Sequence, residues 1–309
     1  MRHLFIINPT AGKNMNVEAV IREIELAMEG REDAWSIVTT AGPGDAEKIA
    51  RQWCEESEEE LRLYALGGDG TLNEVVNGAA GFDHAAVACC PMGSGNDFIK
   101  TFGKESRRFR DLKALVEAPA YTMDLIDCNG RQSINICSVG LDARIAAEKD
   151  EYKKLPLVTG KSAYILSLLV NVIKGIHRPY EVELDGEKMQ GNYTIITACN
   201  GQWYGGSFNA APDAVPDDGW LDFILVDGVS RFTVAGLVGK YGAGRAKEFP
   251  DLIHCYRGKS LTVKCDRVSE INVDGERMDT ETVTFALSEK KIRFIVPQGA
   301  QWHGAQPCS

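Results

Sequence analysis

The sequence predicts an α/β N-terminal domain built on a parallel sheet, followed by a β-rich C-terminal domain of antiparallel sandwich type. Three observations predict it. Up to about residue 125, short apolar runs alternate with stretches at helical spacing, which is the signature of βαβ units. Beyond that point the runs become short and alternating, with Asp127-Cys128-Asn129-Gly130 and Asp185-Gly186 marking tight turns. A chain of 309 residues, 44% of them hydrophobic, holds enough apolar side chain to bury two cores without disulfides or metals.

Taken in order, Leu4–Ile7 reads as a first strand ending at Asn8-Pro9. Val17, Val20, Ile21, Ile24 and Met28 recur at helical spacing. Trp35–Val38 and Leu61–Leu66 are further strands, separated by a helix over Asp45–Cys54. Gly67-Gly68 stops the third strand, Thr71–Ala79 is helical, and Ala85–Cys90 is a fourth strand followed by the Gly-rich turn Pro91–Gly95. The second half offers strands at Ser133–Val139, Tyr180–Leu184, Tyr193–Ala198, Leu221–Val226, Leu261–Cys265, Ile271–Val273, Val283–Leu287 and Ile292–Val296. Two helical insertions interrupt it, at Lys161–Ile176 and Phe232–Lys240. The expected domains are therefore 1–125 and 126–287, with the segment from about 288 to 309 free to pack back on the first.

Composition narrows the function. Net charge is −10, from 34 basic and 44 acidic residues, which disfavours nucleic acid as a partner. Residues 18–60 hold 13 acidic and 4 basic residues and so carry nearly all of that excess, whereas Lys104–Lys113 and Arg144–Arg178 are basic. The polarity suits a molecule that turns its basic segments, Lys153 and Lys154 among them, toward an anionic membrane. Nine scattered cysteines without a C-x-x-C pair read as free thiols in a reducing compartment, and Cys89-Cys90 as buried hydrophobes. The five histidines show no metal-ligand spacing, the N-terminus has no signal-peptide pattern, and no run of 18 apolar residues exists. The expectation is a cytoplasmic protein associated peripherally with a membrane.

The chemistry concentrates in three loops that follow strands. Gly67-Gly68-Asp69-Gly70-Thr71-Leu72-Asn73 opens a helix, with glycines that let the backbone bend and Thr71 in place to cap. Asn8-Pro9-Thr10-Ala11-Gly12 follows the first strand, and Pro91-Met92-Gly93-Ser94-Gly95-Asn96-Asp97-Phe98 follows the fourth. One such loop is an ordinary strand–helix turn; three at the carboxyl ends of parallel strands read as a nucleotide cradle. Gly160-Lys161-Ser162 is a decoy, because Leu155 stands where a P-loop requires its first glycine. No G-x-G-x-x-G follows a strand, so a Rossmann site is unsupported.

Together with Asp217–Asp222 and Asp274–Glu276, these motifs resemble the bacterial soluble diacylglycerol kinase family, which is similar to the catalytic domains of diacylglycerol, ceramide and sphingosine kinases. G-G-D-G-T alone is shared with NAD kinases. The resemblance implies nucleotide contacts at Asn8, Pro9, Thr10, Ala11, Gly12, Thr40, Gly67, Gly68, Asp69, Gly70, Thr71, Leu72, Asn73 and Ser94. It implies that Glu276 accepts the acceptor hydroxyl's proton, with Asp274 as its partner or metal organiser and Asp69 in the catalytic set. Standing alone, Asp274-Gly275 is an Asp-Gly hairpin corner and Asp217-Asp218 a solvated turn. The family pattern places Mg²⁺ on Asp218 and the carbonyls of Val215 and Trp220, with Asp69, Asp97 and Asp124 extending a hydrated network. A lipid enters the family's interdomain cleft, and Ile165, Leu168, Leu169, Val172 and Ile173 are apolar candidates that equally suit a core helix.

The expected function is transfer of the γ-phosphate of ATP, with Mg²⁺, to the hydroxyl of diacylglycerol or a related lipid. Another acceptor (a sphingoid base, another membrane alcohol or NAD) and a non-catalytic nucleotide- or lipid-binding regulator stay open, as does a homodimer.

Overall fold

A computed structural model describes residues 1–12, 15–145 and 177–302. The chain opens with β1 (Arg2–Ile7), α1 (Val17–Met28), β2 (Ala34–Thr39), α2 (Asp45–Glu56), β3 (Leu61–Gly67), α3 (Asp69–Ala79) and β4 (Ala85–Pro91). Two 3-10 turns over Phe98–Arg110 meet at a kink at Gly103 and lead to α4 (Leu112–Glu117) and β5 (Ala120–Met123). Next come β6 (Ile126–Cys128), β7 (Arg131–Ser133), β8 (Ile136–Gly140), β9 (Arg178–Leu184), β10 (Glu187–Cys199), β11 (Trp203–Tyr204), β12 (Phe208–Asn209) and β13 (Leu221–Asp227). The chain continues with α5 (Arg231–Gly242), β14 (Ile253–Gly258), β15 (Ser260–Val273), β16 (Glu276–Leu287) and β17 (Ile292–Ile295).

It divides into two compact units. The first comprises Met1–Leu125, Val215–Gly219 and Ser288–Ser309; the second comprises Ile126–Ala214 and Trp220–Leu287. The division assigns Val215–Gly219 to the first unit, although the change of pattern near residue 125 gives no sign of it.

The first unit is built on a six-stranded sheet in the order β2-β1-β3-β4-β17-β5. β1 to β4 are parallel, β17 joins parallel to β4, and β5 closes the edge antiparallel to β17. β3 and β4 are almost wholly buried, which is why they read as continuous apolar runs. Asn16 caps α1 through the Ala19 amide at 3.1 Å and Asp111 caps α4 through the Ala114 amide at 3.1 Å. His3, fully buried on β1, meets the Tyr64 hydroxyl at 2.9 Å.

The second unit is a nine-stranded antiparallel sheet that closes on itself. β10 pairs with β9 over its first half and with β8 over its second, changing partner at a bulge between Tyr193 and Ile195. β15 likewise pairs with β9 and then with β8, with its irregularity between Lys264 and Ser269. Bulges bend the two long strands so that β8, β9, β10 and β15 enclose one core, which includes Val139, Val182, Phe223, Val263 and Phe285. Alternate residues of the same strands, Ile136, Cys199, Ile224 and Val226, face a second cluster with Tyr241 of α5 and Ile253.

Three expectations change. Leu261–Cys265 and Ile271–Val273 are one strand, β15, interrupted by its bulge. Ser133–Val139 is not one strand: β7 ends at Ser133 and β8 starts at Ile136. α3 begins at Asp69, its N-cap is Gly68, and no side chain caps it. The expected helix at Lys161–Ile176, the decoy at 160–162, Lys153, Lys154 and the five apolar lipid candidates lie outside the described residues. No described helix is long and apolar enough to cross a membrane.

Candidate functional site

In the first unit the three Gly-rich loops pack backbone against backbone. Gly12 adopts φ +70°, and a Cβ there would stand 2.6 Å from the Met92 carbonyl oxygen. A Cβ on Gly93 would stand 2.6 Å from the Gly68 Cα. No other residue type fits these approaches, so the glycines at 12, 68 and 93 set the spacing of the loops. Asn8 ties the first loop to α3 by donating from Nδ2 to Thr71 Oγ1 at 3.0 Å, while its Oδ1 accepts from the Thr10 amide and hydroxyl. Thr71 therefore tethers a loop, and the expectation that it caps α3 is corrected.

Asp69 fastens the third loop. Its carboxylate accepts from the Asn96 amide at 2.8 Å and from the Asp97 amide, and Asp97 in turn pairs with Lys100. Burial, then the Asp97 carboxylate, pushes the Asp69 carboxyl up, and the two amides pull against that. Glu74, one turn further along α3, accepts from the Gly44 and Ala46 amides at 2.8 and 3.1 Å. It thus holds the loop after Thr40, a role its place in the G-G-D-G-T-L-N-E motif does not announce.

With Gly68 at the N-cap, no side chain occupies the amides at the start of α3, and the helix dipole makes that end favourable to an anion. Thr10, Gly12 and Ser94 are exposed around it, Asn8, Pro9, Gly68 and Gly70 are partly exposed, and Thr40 and Ala11 are nearly buried. Gly67 is buried, and so are Leu72 and Asn73, at 3% and 0% exposure. Leu72 and Asn73 shape the helix; their side chains do not face solvent, and Asn73 accepts from Asn77.

In the second unit Asp274 and Gly275 form a two-residue hairpin, with φ of 51° and 98°, that pairs Val273 with Glu276. Asp274 is 8% exposed. Its carboxylate accepts from the Ser133 hydroxyl at 2.5 Å and from the amides of Ile134, Asn135 and Ile136 at 3.0, 3.2 and 3.0 Å. That is why the run 133–139 breaks: the amides that would have continued a ladder turn to the carboxylate instead. The carbonyls are also satisfied, since Asn200 Nδ2 donates to Ile134 O at 2.7 Å and the Asn200 amide to Asn135 O at 2.9 Å. The Asp274 carboxylate thereby holds the Ser133–Ile136 segment. Glu276 is exposed at the start of β16.

Two family models match the chain in succession. Residues 2–128 match the model of the diacylglycerol kinase catalytic domain. Residues 135–296 match that of the YegS C-terminal NAD kinase beta sandwich-like domain. The chain belongs to the diacylglycerol kinase family. A diacylglycerol kinase of Staphylococcus carnosus is 27% identical over 300 residues, covering 96% of this chain and 95% of its own. A protein of Staphylococcus haemolyticus provisionally named a lipid kinase is 27% identical over 272 residues, 86% of this chain and 87% of that one. A crystal structure of a provisionally assigned diacylglycerol kinase from Bacillus anthracis shares the fold, with TM-score 0.76 and 22% identity over 97% of this chain and 98% of that one.

The acidic loop 215–219 belongs to the first unit. Asp124 accepts from the Gly219 amide at 2.6 Å and pairs with Lys291, and its own amide donates to Pro216 O at 2.7 Å. Trp302 donates from Nε1 to Asp217 at 2.8 Å. The loop is thus pinned by Asp124, Lys291 and Trp302, two of which come from the C-terminal segment. Lysines stand against Asp97 and Asp124. Among the described residues no group of three or more His, Cys, Asp or Glu side chains is arranged to hold a metal ion. Val215 and Asp218 belong to the first unit and Trp220 to the second. One partly exposed carboxylate with main-chain oxygens is still a hard donor set of the kind Mg²⁺ takes.

Lys291 escapes sequence reading because its partner Asp124 lies 167 residues away; Lys100 meets Asp97 only three residues before it, a pair that local spacing allows.

Proposed function

We propose that the chain transfers the γ-phosphate of ATP to a lipid hydroxyl at a membrane surface, with diacylglycerol as acceptor and phosphatidic acid as product. The observation that carries the reading is the close backbone packing of the loops at Gly12, Gly68 and Gly93 beside a helix start that no side chain caps. Main-chain amides in that arrangement take a triphosphate without a dedicated cation. Asp69 holds the third of these loops and Glu74 the loop after Thr40, so neither needs to touch the nucleotide to matter.

Glu276 is the proton acceptor for the attacking hydroxyl. An alcohol is a weak nucleophile, and phosphoryl transfer needs a carboxylate to orient it. Asp274 fixes the hairpin from which Glu276 projects. Asp218 with the carbonyls of Val215 and Trp220 would hold Mg²⁺, which would supply positive charge.

Labelled ATP and Mg²⁺ with micellar diacylglycerol, sphingosine and NAD, each in a separate incubation, test the reading. Label should enter diacylglycerol, and Glu276→Gln should lower that rate by about a hundredfold or more. Label in NAD alone, in sphingosine alone or in nothing overturns the acceptor; an undiminished Glu276→Gln rate overturns the base.

A further inference from the structure

The loop after β2 stands at the same sheet edge as the three Gly-rich loops, because β2 runs parallel to β1. Its start is fastened there, since the Thr40 amide donates to Ile7 O at 2.9 Å, at the end of β1. Its far end lacks an anchor of its own. Gly44 is the N-cap of α2, with φ +78° and no side chain to cap with. Asp45, the first residue of the helix, turns its carboxylate back to the Ala41 amide at 2.7 Å. Ala41, Gly42 and Pro43 are exposed between these points. Two glycines in so short a stretch have much conformational freedom to lose on ordering.

α3 supplies the missing anchor. Glu74 accepts from the Gly44 and Ala46 amides at 2.8 and 3.1 Å, and so caps α2 from a neighbouring helix. Further along α3, Asn77 O accepts from Arg51 Nη2 at 2.7 Å. A Cβ on Gly78 would stand 2.6 Å from both the Ala50 Cβ and the Glu47 carbonyl oxygen, so α2 and α3 cross at backbone distance there. Residues 74, 77 and 78 share one face of the helix. α3 therefore does two jobs. Its first turn offers amides to an anion, and the face that begins at Glu74 sets where the loop after β2 lies.

We propose that Glu74 is a positioning residue for the nucleoside end of the bound nucleotide. It acts through the Gly44 and Ala46 amides and not by contact with base or phosphate. The loops after β1, β3 and β4 meet one another at Gly12, Met92, Gly68 and Gly93, and they take the phosphates. The nucleoside extends to the other flank of β1, toward the loop after β2. Without Glu74 that loop is ordered only when the nucleotide binds, and the cost falls on affinity. The phosphate end is spared, because Glu74 holds none of the three Gly-rich loops. This assignment rests on the nucleotide reading of the site.

The test is calorimetric binding of ATP and of inorganic tripolyphosphate to the full chain, each with Mg²⁺, beside turnover on micellar diacylglycerol. Glu74→Ala should weaken ATP about tenfold and leave tripolyphosphate within about twofold. Its KM for ATP should rise by a similar factor with kcat little changed. Glu74→Gln, which keeps one acceptor oxygen, should recover part of the affinity. Asp45→Ala frees the same loop through the Ala41 amide and should show the same split, so the proposal stays open to refutation if Glu74→Ala does not fold. Gly93→Ala, at the phosphate loops, should weaken both ligands alike. Equal weakening of ATP and tripolyphosphate in Glu74→Ala and Asp45→Ala, or ATP affinity unchanged in both, overturns the proposal. An unaltered chain that binds neither ligand overturns the nucleotide reading itself. The expected split without phosphorylation of diacylglycerol overturns the acceptor and leaves the role of Glu74 standing.

Discussion

Both units clamp functional loops with carboxylates, Asp69 and Glu74 in the first and Asp274 in the second, but only the first adds close backbone contact at glycines. In the first, proximity comes from missing side chains, because Gly12, Gly68 and Gly93 let three loops meet at backbone distance. In the second, a buried side chain does the holding, with the Asp274 carboxylate gathering three amides and a hydroxyl at the break between β7 and β8. Glycine contacts constrain shape and leave amides available to a ligand. A carboxylate clamp uses up the amides it meets. The first arrangement suits anion binding and the second suits the orientation of a neighbouring residue.

The largest effect that separates the two concerns neighbours in one hairpin. Asp274→Ala leaves the amides of Ile134, Asn135 and Ile136 and the Ser133 hydroxyl without their acceptor. The expected loss is about 4 kcal/mol in urea unfolding, since several buried groups are orphaned at once. Glu276→Gln, on an exposed position, should stay within about 0.5 kcal/mol of the unaltered chain. Should Asp274→Ala keep its stability and lose only turnover, Asp274 acts on substrate and the clamp account is wrong.

These contrasts also explain what the sequence reveals. Glycine loops after strands are legible because both signals, the stop of an apolar run and the glycine itself, are local. Gly68 and Met92–Gly95 are therefore placed correctly as loops and Asp274-Gly275 as a hairpin corner, while Gly67 and Pro91 still pair as the last residues of β3 and β4. The direction of the Asp274 side chain is not local: its partners lie 138 to 141 residues earlier, inside a run that reads as one strand.

A second contrast lies within the first unit, where the buried polar group sits at the start of β1 and the loops at its end. Burial lowers the pKa of His3 from 6.5 to about 4, partly offset by Asp33. Between those values the unfolded chain takes up a proton that the folded chain refuses. Stability is therefore complete above about pH 6.5 and falls as pH drops toward 4, by about 3 kcal/mol at most. Urea midpoints of the unaltered chain and His3→Gln across that window should converge toward low pH, because only the former carries the histidine's share of the slope. Parallel curves would mean that His3 titrates alike in both states.

The smallest effect bears on how the loops are tied. Thr71 Oγ1 accepts from Asn8 Nδ2 at 3.0 Å, while Gly68 holds the N-cap. Thr71→Val should cost about 1 kcal/mol, the worth of one partly buried hydrogen bond. Asn8→Ala should cost a similar amount, and the double variant no more than the larger single one, giving a coupling of about 1 kcal/mol. A threonine that capped α3 through its own helix would show losses that add, because its partner would then be an amide of the helix and not Asn8. Coupling ties the first loop to the helix that opens the second, and additivity would return Thr71 to the ordinary role of a helix cap.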